Sequence, residues 1–430
     1  MNAAARAFLQ ELYGVAVEAA HPRTCLPPHL PAPPAPPGRL IVLAAGKAAG
    51  SMTEVAERHY LDAGVAPARI SGLAVTRHGY ARPTSILKVV EAGHPVPDEA
   101  GLAAAEEVLK LADGAGPGDL VLVLLSGGAS ANWIAPAAGI TFAEKQAVTR
   151  ALLRSGANIG EMNTLRKHLS RIKGGRLAAR ARPARMLTLA ISDVPGDDPD
   201  VIGSGPTVPD RSTLTDARAI VERYALDLPP AVRRVLDDPA SESPKPGDAA
   251  FARAAFKLIA RPADAFAATE AKVRAAGYEC VMLGDRVEGE AREVGAQHAA
   301  LARDLQAQGR RAAILSGGEL TVTIRGDGRG GPNQEYALAL AMALAGTRGI
   351  TGLAADTDGT DGGAGSAADP AGAVADGTTV VRAQTLGLDP AAFLTDNNST
   401  AFFARLGDLL MPGPTYTNVN DFRVLLVDRL

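Results

Sequence analysis

The chain has 430 residues, long for a single core, with 46 Gly, 30 Pro and few aromatics beside an ordinary apolar and charged content. A formal net charge of −3 gives no global pull toward nucleic acid or an anionic membrane surface, so an anionic ligand has to be held locally. Cys25 and Cys280 stand far apart, which reads as neither a disulfide framework nor a cysteine zinc site and suggests a reducing compartment.

Residues 3–20 space their apolar positions as a helix does, carry acids at Glu11 and Glu18, and lack the basic start and unbroken apolar core of a leader. No later stretch has the length to span a bilayer, and the expected setting is cytoplasmic. "PPHLPAPPAPPG" at 27–38 removes backbone donors and predicts a surface loop. Short apolar runs at 40–46, 72–76, 87–93, 120–128 and 186–193 read as buried strands, and "DEAGLAAAEEVLKLA" at 98–112 reads as one of the helices between them. That alternation predicts a mostly parallel, Rossmann-like sheet with helices on both faces.

From about 225 to 250 the sequence turns polar and Pro-rich, as at a domain boundary or in a long surface excursion. Strand-like runs resume at 256–260, 278–284, 311–318, 320–326, 351–359 and 422–427. The expected division is therefore 1–245 and 246–430, two α/β domains of three layers each, the second smaller.

Two apolar runs end in the same phrase, Ser126-Gly127-Gly128 and Ser316-Gly317-Gly318, the latter followed by Glu319. Each either ends a strand or lets backbone N–H groups approach an anion at the carboxyl edge of a sheet, and together they suggest two walls of one cleft. Gly46-Lys47 sits where a strand runs into an Ala-rich helix; a Walker A loop fails there, because Ile41 and Ala48 replace its Gly and its Ser or Thr, yet the lysine remains well placed for phosphate. "EMNTLRKHLSRIKGGR" at 161–176 carries Asn163, Arg166, Lys167, Arg171, Lys173 and Arg176, which form either a solvated basic face or an anion seat.

The irregular stretch 190–210 leaves a strand at Asp193. There Asp193, Asp197 and Asp198 are candidates to hold a divalent cation or accept a hydroxyl proton, and Gly203, Ser204 and Gly205 to approach phosphate; a structured surface loop is the alternative. Arg325 precedes a G-x-G-x-G loop that is not the dinucleotide pattern, and Asn333 opens a helix at Pro332. Asp356, Asp358 and Asp361 fail the EF-hand spacing but suit either a Mg²⁺ shared with phosphate or an Asx-rich turn. Neither an H-E-x-x-H nor a G-x-S-x-G is present, and Trp133 and Phe142 read as packing residues.

The phrases "AAGKAA", "LLSGGASA", "MNTLRKHLSRIKGGRLA", "ISDVPGDDPDVIGSGPT", "LSGGE", "GRGGPNQE", "DTDGTDG" and "TNVNDFRVLLV" stand in an order that resembles the glycerate kinases acting on the 2-hydroxyl, a family with a large N-terminal domain followed by a MOFRL domain. The resemblance spans nearly the whole chain and places the MOFRL region at about 310–428. It implies ATP and Mg²⁺, D-glycerate bound in a cleft between the domains, and 2-phosphoglycerate as product. The family's functional lysine falls on Lys47 and its arginine on Arg325, while Tyr416 and Phe422 depart from its usual residues.

Within that reading Lys47, Arg325 and Asp193 are the expected catalytic residues, with Asp193 as the hydroxyl partner. Ser126, Gly127, Gly128, Asn163, Arg166, Ser316, Gly317, Gly318, Glu319 and Asn333 are the expected substrate or phosphate contacts. Gly203, Ser204, Gly205, Asp356 and Asp358 are the expected nucleotide contacts, and Asp193 and Asp358 the Mg²⁺ ligands. Small molecules are the expected partners, without nucleic acid or membrane, and a homodimer is compatible with the sequence. Members of the family have also been labelled hydroxypyruvate reductases, so NAD(P)H-dependent reduction is the alternative activity and a non-catalytic sugar-acid-binding protein the alternative class.

Overall fold

The computed structural model describes residues 2–363 and 366–430. It forms two compact units, one of residues 25–259 and one of residues 1–24 together with 260–430.

The 25–259 unit is built on a six-stranded sheet of β1 (Leu40–Ala45), β2 (Ile70–Arg77), β3 (Lys88–Ala92), β4 (Leu120–Leu125), β5 (Arg185–Ile191) and β6 (Ala254–Ala260), in the order 3-2-1-4-5-6. β1 to β5 run parallel, with Leu43 of β1 facing Leu73 on one side and Val123 on the other. β1 and β4 are buried at every position, and that is why they read as unbroken apolar runs rather than alternating ones. Helix Glu99–Asp113, started by the Asp98 carboxylate accepting the Gly101 N–H at 2.9 Å, packs on β2 and β3.

A second cluster in this unit joins helices Phe142–Ser155, Ile159–His168, Leu214–Arg223 and Pro230–Asp237 through Val148, Leu152, Leu165, Leu214 and Val232. Burying each such side chain stabilises the fold by about 1.5–3 kcal/mol, which makes this cluster a firm mount for polar groups on its helices.

The other unit carries β7 (Glu279–Gly284), β8 (Ala312–Ser316), β9 (Ile350–Asp356), β10 (Gly372–Asp376), β11 (Leu409–Leu410) and β12 (Asp421–Val427), ordered 11-10-9-12-8-7. Only β7 and β8 pair in parallel; β12 slots antiparallel between β8 and β9. Helix Pro332–Ala343 packs on helix Ala291–Ala307 and on β9 and β10.

Three expectations change. The division does not fall at 245/246: 256–260 belongs to β6 at the edge of the first sheet, where the preceding Arg253 carbonyl accepts the Met186 N–H at 2.9 Å. Helix Ala3–Ala20 groups with the C-terminal unit because it lies on helix Pro262–Ala275, and the Tyr13 hydroxyl donates to the Asp356 carbonyl at 2.9 Å. Residues 320–326 are not a strand. Both sides of β8 are taken, by β7 and β12, and the donors of the segment go elsewhere: the Thr323 N–H to the Glu290 carboxylate at 2.9 Å and the Arg325 N–H to Asn397 Oδ1 at 2.6 Å. Among the described residues no helix is long and apolar enough to cross a membrane.

Candidate active site

The strand order of the first sheet reverses between β1 and β4, and at such a point the carboxyl ends of neighbouring strands leave a crevice where ligands bind. The turns after β1 and β4 are locked together there. Gly46 has φ +116°, and a Cβ on it would lie 2.4 Å from the Ser126 Oγ, so only glycine fits. The Lys47 N–H donates to the Gly127 carbonyl at 2.8 Å, and the Ala48 N–H donates to the Ser126 Oγ at 2.9 Å. Gly128 has φ +86°; a Cβ there would stand 2.8 Å from the His94 ring and 3.4 Å from the Lys47 Cγ. Lys47, Ser126, Gly127, Gly128 and His94 therefore meet at one point.

Beside Gly128 opens a cavity of about 270 Å³ lined by His94, Ser130, Lys145, Arg166 and Lys173, with Pro95, Pro97, Ala131 and Ile134 as apolar walls. Lys145 and Lys173 are buried. The Lys145 ammonium donates to the Arg166 and Leu169 carbonyls, each at 3.2 Å, and the Lys173 ammonium to the Ser130 carbonyl and hydroxyl, each at 2.6 Å. Burial, then the charges of Arg166 and Arg176, push Lys145 down to about 7. Burial, then Lys145 and Arg166, push Lys173 well below the usual ammonium range, and burial also lowers Arg166 and Arg176. Such a cluster is built for an anion.

The expected basic run thus splits. Lys167 is held by Asp200 at 2.5 Å and Asp210 at 3.3 Å, and Arg171 pairs with Glu106, so both serve the scaffold. Asn163 is buried on the helix that bears Arg166. Sequence reasoning missed Lys145 and His94. For Lys145 the signal was present: with Val148 and Leu152 it falls at i, i+3 and i+7 on one face of its helix, a lysine inside an apolar stripe.

Asp193 follows β5, half-buried, at the same sheet end as Ser126, since β4 and β5 pair in parallel. Gly203, Ser204 and Gly205 all have positive φ. The Ser204 Oγ lies 2.9 Å from the Ser130 Oγ, and the Ser204 and Gly205 carbonyls accept the Gly174 and Gly175 N–H groups at 3.0 and 2.7 Å. Ser204 thereby reaches the cation pocket through Ser130. A Cβ at 203 or 205 would crowd Ala129 or the Asp200 carbonyl, which gives both glycines a packing reason.

In the other unit Ser316 ends β8, buried, and the Gly317 N–H is spent on the Gly284 carbonyl at 2.8 Å. The Gly317 and Gly318 carbonyls accept from the Arg423 guanidinium at 2.5 and 3.2 Å, and Arg423 pairs with Asp421 at 3.0 Å, wholly buried. The Asn333 amide donates to Asp421 at 2.6 Å and to Asp361 at 3.2 Å. Asp361 also accepts the Asn333 and Gln334 N–H groups at 3.0 and 2.8 Å, yet burial, then the Asp421 charge, push its carboxyl up to about 7.

The acids of the 354–362 loop act as the Asx-turn reading expects. Asp356 accepts the Asp358 N–H at 2.8 Å, and Asp358 Oδ1 accepts the Thr360 N–H at 2.7 Å. Glu319 and Arg325 are exposed. Asp193 and Asp358 belong to different units, and among the described residues no group of three or more His, Cys, Asp or Glu is arranged for a metal.

Comparison with known proteins then identifies both halves. Residues 8–237 match a domain of unknown function, DUF4147, and residues 312–421 match the MOFRL family. The chain is 45% identical to a protein of Agrobacterium vitis named putative hydroxypyruvate reductase, over 99% of this chain and 95% of the relative. It is 38% identical to the D-glycerate 2-kinase of Thermotoga maritima, over 90% and 91%. The crystal structure of a glycerate kinase from that organism superposes with a TM-score of 0.87 at 36% identity, covering 99% of this chain and all of that one.

Proposed function

The chain belongs to the glycerate kinase family that joins a DUF4147 domain to a MOFRL domain, and from that premise we propose that it transfers the γ-phosphoryl group of ATP to the 2-hydroxyl of D-glycerate. The hydroxyl oxygen bonds to the γ-phosphorus, the bond to the β-bridging oxygen breaks, ADP leaves, and the hydroxyl proton passes to a carboxylate, giving 2-phosphoglycerate. Such a transfer asks for positioning and charge neutralisation more than for covalent help.

The observation that carries this reading is the placement of Lys47 at the point of strand-order reversal, its own backbone pinned to the Gly127 turn and its side chain beside a cation-lined cavity. Lys47 neutralises the transferring phosphoryl group, Ser126-Gly127-Gly128 shapes the wall around it, and Asp193 accepts the hydroxyl proton. Arg325, exposed in its unit, is the arginine to which the family resemblance assigns a part in the chemistry. In that unit Asn333, through Asp421 and Arg423, holds the Ser316-Gly317-Gly318 turn in shape, and Glu319 follows it exposed. Ser204 belongs with the first pocket through Ser130.

A Mg²⁺ that shares nucleotide phosphate oxygens needs only one or two protein carboxylates, and Asp193 at the end of β5 fits that donor set; Asp358 Oδ1 is engaged by Thr360. When bound, the ion neutralises charge on the phosphates.

The strand order is one that dinucleotide-binding sheets share, but the reductase name borne by two of the relatives finds no support in the residues of the first turn. In a dinucleotide-binding sheet the first turn carries G-x-G-x-x-G, and here it reads Gly46-Lys47-Ala48-Ala49-Gly50, while β2 ends on Thr76-Arg77 where an acid for the ribose is wanted. The decisive experiment incubates the protein with D-glycerate, ATP and Mg²⁺ and follows ³¹P NMR, with hydroxypyruvate and NADH alongside. A 2-phosphoglycerate resonance is expected; NADH consumption with no phosphoester would overturn the kinase.

A further inference from the structure

We infer that the cavity between Lys145, Arg166, Lys173 and His94 is the seat of the acceptor's carboxylate, and that its walls restrict the acceptor to short 2-hydroxy acids. This deepens the kinase reading and rests on it for the identity of the acid.

Two buried lysines and the half-buried Arg166 face one small space. Lys145 stands on helix Phe142–Ser155, Arg166 on helix Ile159–His168, and Lys173 on the turn that follows; around them stand Arg176 on the next helix, which feels the charges of Asp210 and Glu242, the His94 ring, and Lys47 beside Gly128. Among the described residues no carboxylate lies within 4 Å of Lys145, Arg166 or Lys173. Buried charges in native proteins are paired, and removing the partner of a buried charge is strongly destabilising. Three like charges mounted on a firm apolar cluster without a counter-ion therefore mark the place of an anion that arrives with a ligand.

Burial disfavours the charged form of all three, so an anion seated among them relieves a cost that the pocket otherwise carries. Geometry selects its length. The cavity of about 270 Å³ falls below the ~300–1,000 Å³ of sites for drug-sized ligands, and Pro95, Pro97 and Ile134 wall it. A carboxylate held there leaves its 2-hydroxyl toward Gly128, next to the Lys47 stem.

The test uses the full chain and D-glycerate alone, by calorimetry, with Lys145→Met and Lys173→Met. Each variant is expected to weaken D-glycerate at least about tenfold, as loss of a charge-assisted hydrogen bond does. Each also keeps the unliganded melting temperature within a few degrees, because relief of a desolvated ammonium offsets the carbonyls left without a donor. Wild-type binding at pH 8, measured in buffers of different ionisation enthalpy, takes up close to one proton, and Lys145→Met loses that uptake. D-Gluconate, a longer 2-hydroxy acid, does not compete.

If instead both variants melt early, the lysines serve the scaffold and the inference is wrong. If D-glycerate affinity is untouched while ATP or inorganic phosphate weakens, the seat is a phosphate seat and the inference is again wrong, although the kinase stands. D-glycerate binding lost in the variants with no phosphoester formed by the wild type sustains the seat and removes the kinase.

Discussion

The backbone N–H of Lys47 donates to the carbonyl of Gly127 at 2.8 Å, so the turn that presents the proposed catalytic lysine is welded to the first Ser-Gly-Gly turn. That weld depends on Gly46. Gly46→Ala forces a Cβ to within 2.4 Å of the Ser126 Oγ at a φ of +116°, and is expected to cost about 2 kcal/mol or more in urea unfolding. Ser126→Ala leaves the Ala48 N–H buried without its acceptor and is expected to cost about 1–3 kcal/mol. A Gly46→Ala protein as stable as the wild type would show that the two turns are not coupled.

Lys47→Ala is expected to lower kcat by about 100-fold or more while leaving the melting temperature within a degree or two, the pattern of a lost transition-state contact. Arg325→Ala is exposed, so its effect on stability stays within about 0.5 kcal/mol and its loss appears only in turnover. Full activity in both variants removes these residues from the chemistry.

The pocket lysine also predicts two opposite pH trends. The Lys145 pKa is lowered from 10.5 to about 7 in the folded chain, so between these values the unfolded state binds more protons. Its contribution to stability is therefore lowest below pH 7 and rises by about 1.4 kcal/mol per pH unit above it. D-glycerate affinity runs the other way, weakening up to about tenfold per unit above pH 7 as the ammonium is lost. Both slopes are read as wild type minus Lys145→Met, which cancels the other titrating groups. Parallel slopes in the two proteins would place the titration elsewhere.

Arg423 holds the second Ser-Gly-Gly turn by its carbonyls and neutralises Asp421, whose carboxyl burial raises. Arg423→Met strands Asp421 near Asp361 and is expected to cost about 3–5 kcal/mol in chemical unfolding. Asp421→Asn in the same background is expected to recover part of that, and an additive double variant would argue against the ion pair.

The sequence disclosed the parts whose local chemistry matches their final environment. β1 and β4 were legible because strands covered on both faces need apolar residues throughout, and the turn at Gly46 because a glycine directly after such a strand marks a tight turn. β10 was not, since Gly372–Asp376 is built of small residues that favour no strand by themselves and pair only because β9 and β11 flank them. Residues 320–326 alternate like a strand, yet Glu290 and Asn397 take their donors first.

Of the candidate site, the residues on turns were visible, whereas the seat of charge was not: it depends on Lys145 meeting Arg166 and Lys173 across three separate segments, which no spacing records. The 354–362 acids read two ways in the sequence, as a cation site or as an Asx-rich turn, because both draw on the same residue type.

Helix Ala3–Ala20 joins the unit of residues 260–430, with the 25–259 unit lying between them in the chain. Synthesis therefore delivers a complete first sheet before the helix that preceded it has anything to rest on. Leu9, Leu12, Tyr13 and Ala16 are made before that sheet and find their cover after it, once helix Pro262–Ala275, β9 and β12 exist. The order of translation thus assigns the nascent chain a long interval with one apolar stripe in water, and makes that helix the point where a holding chaperone has most to protect.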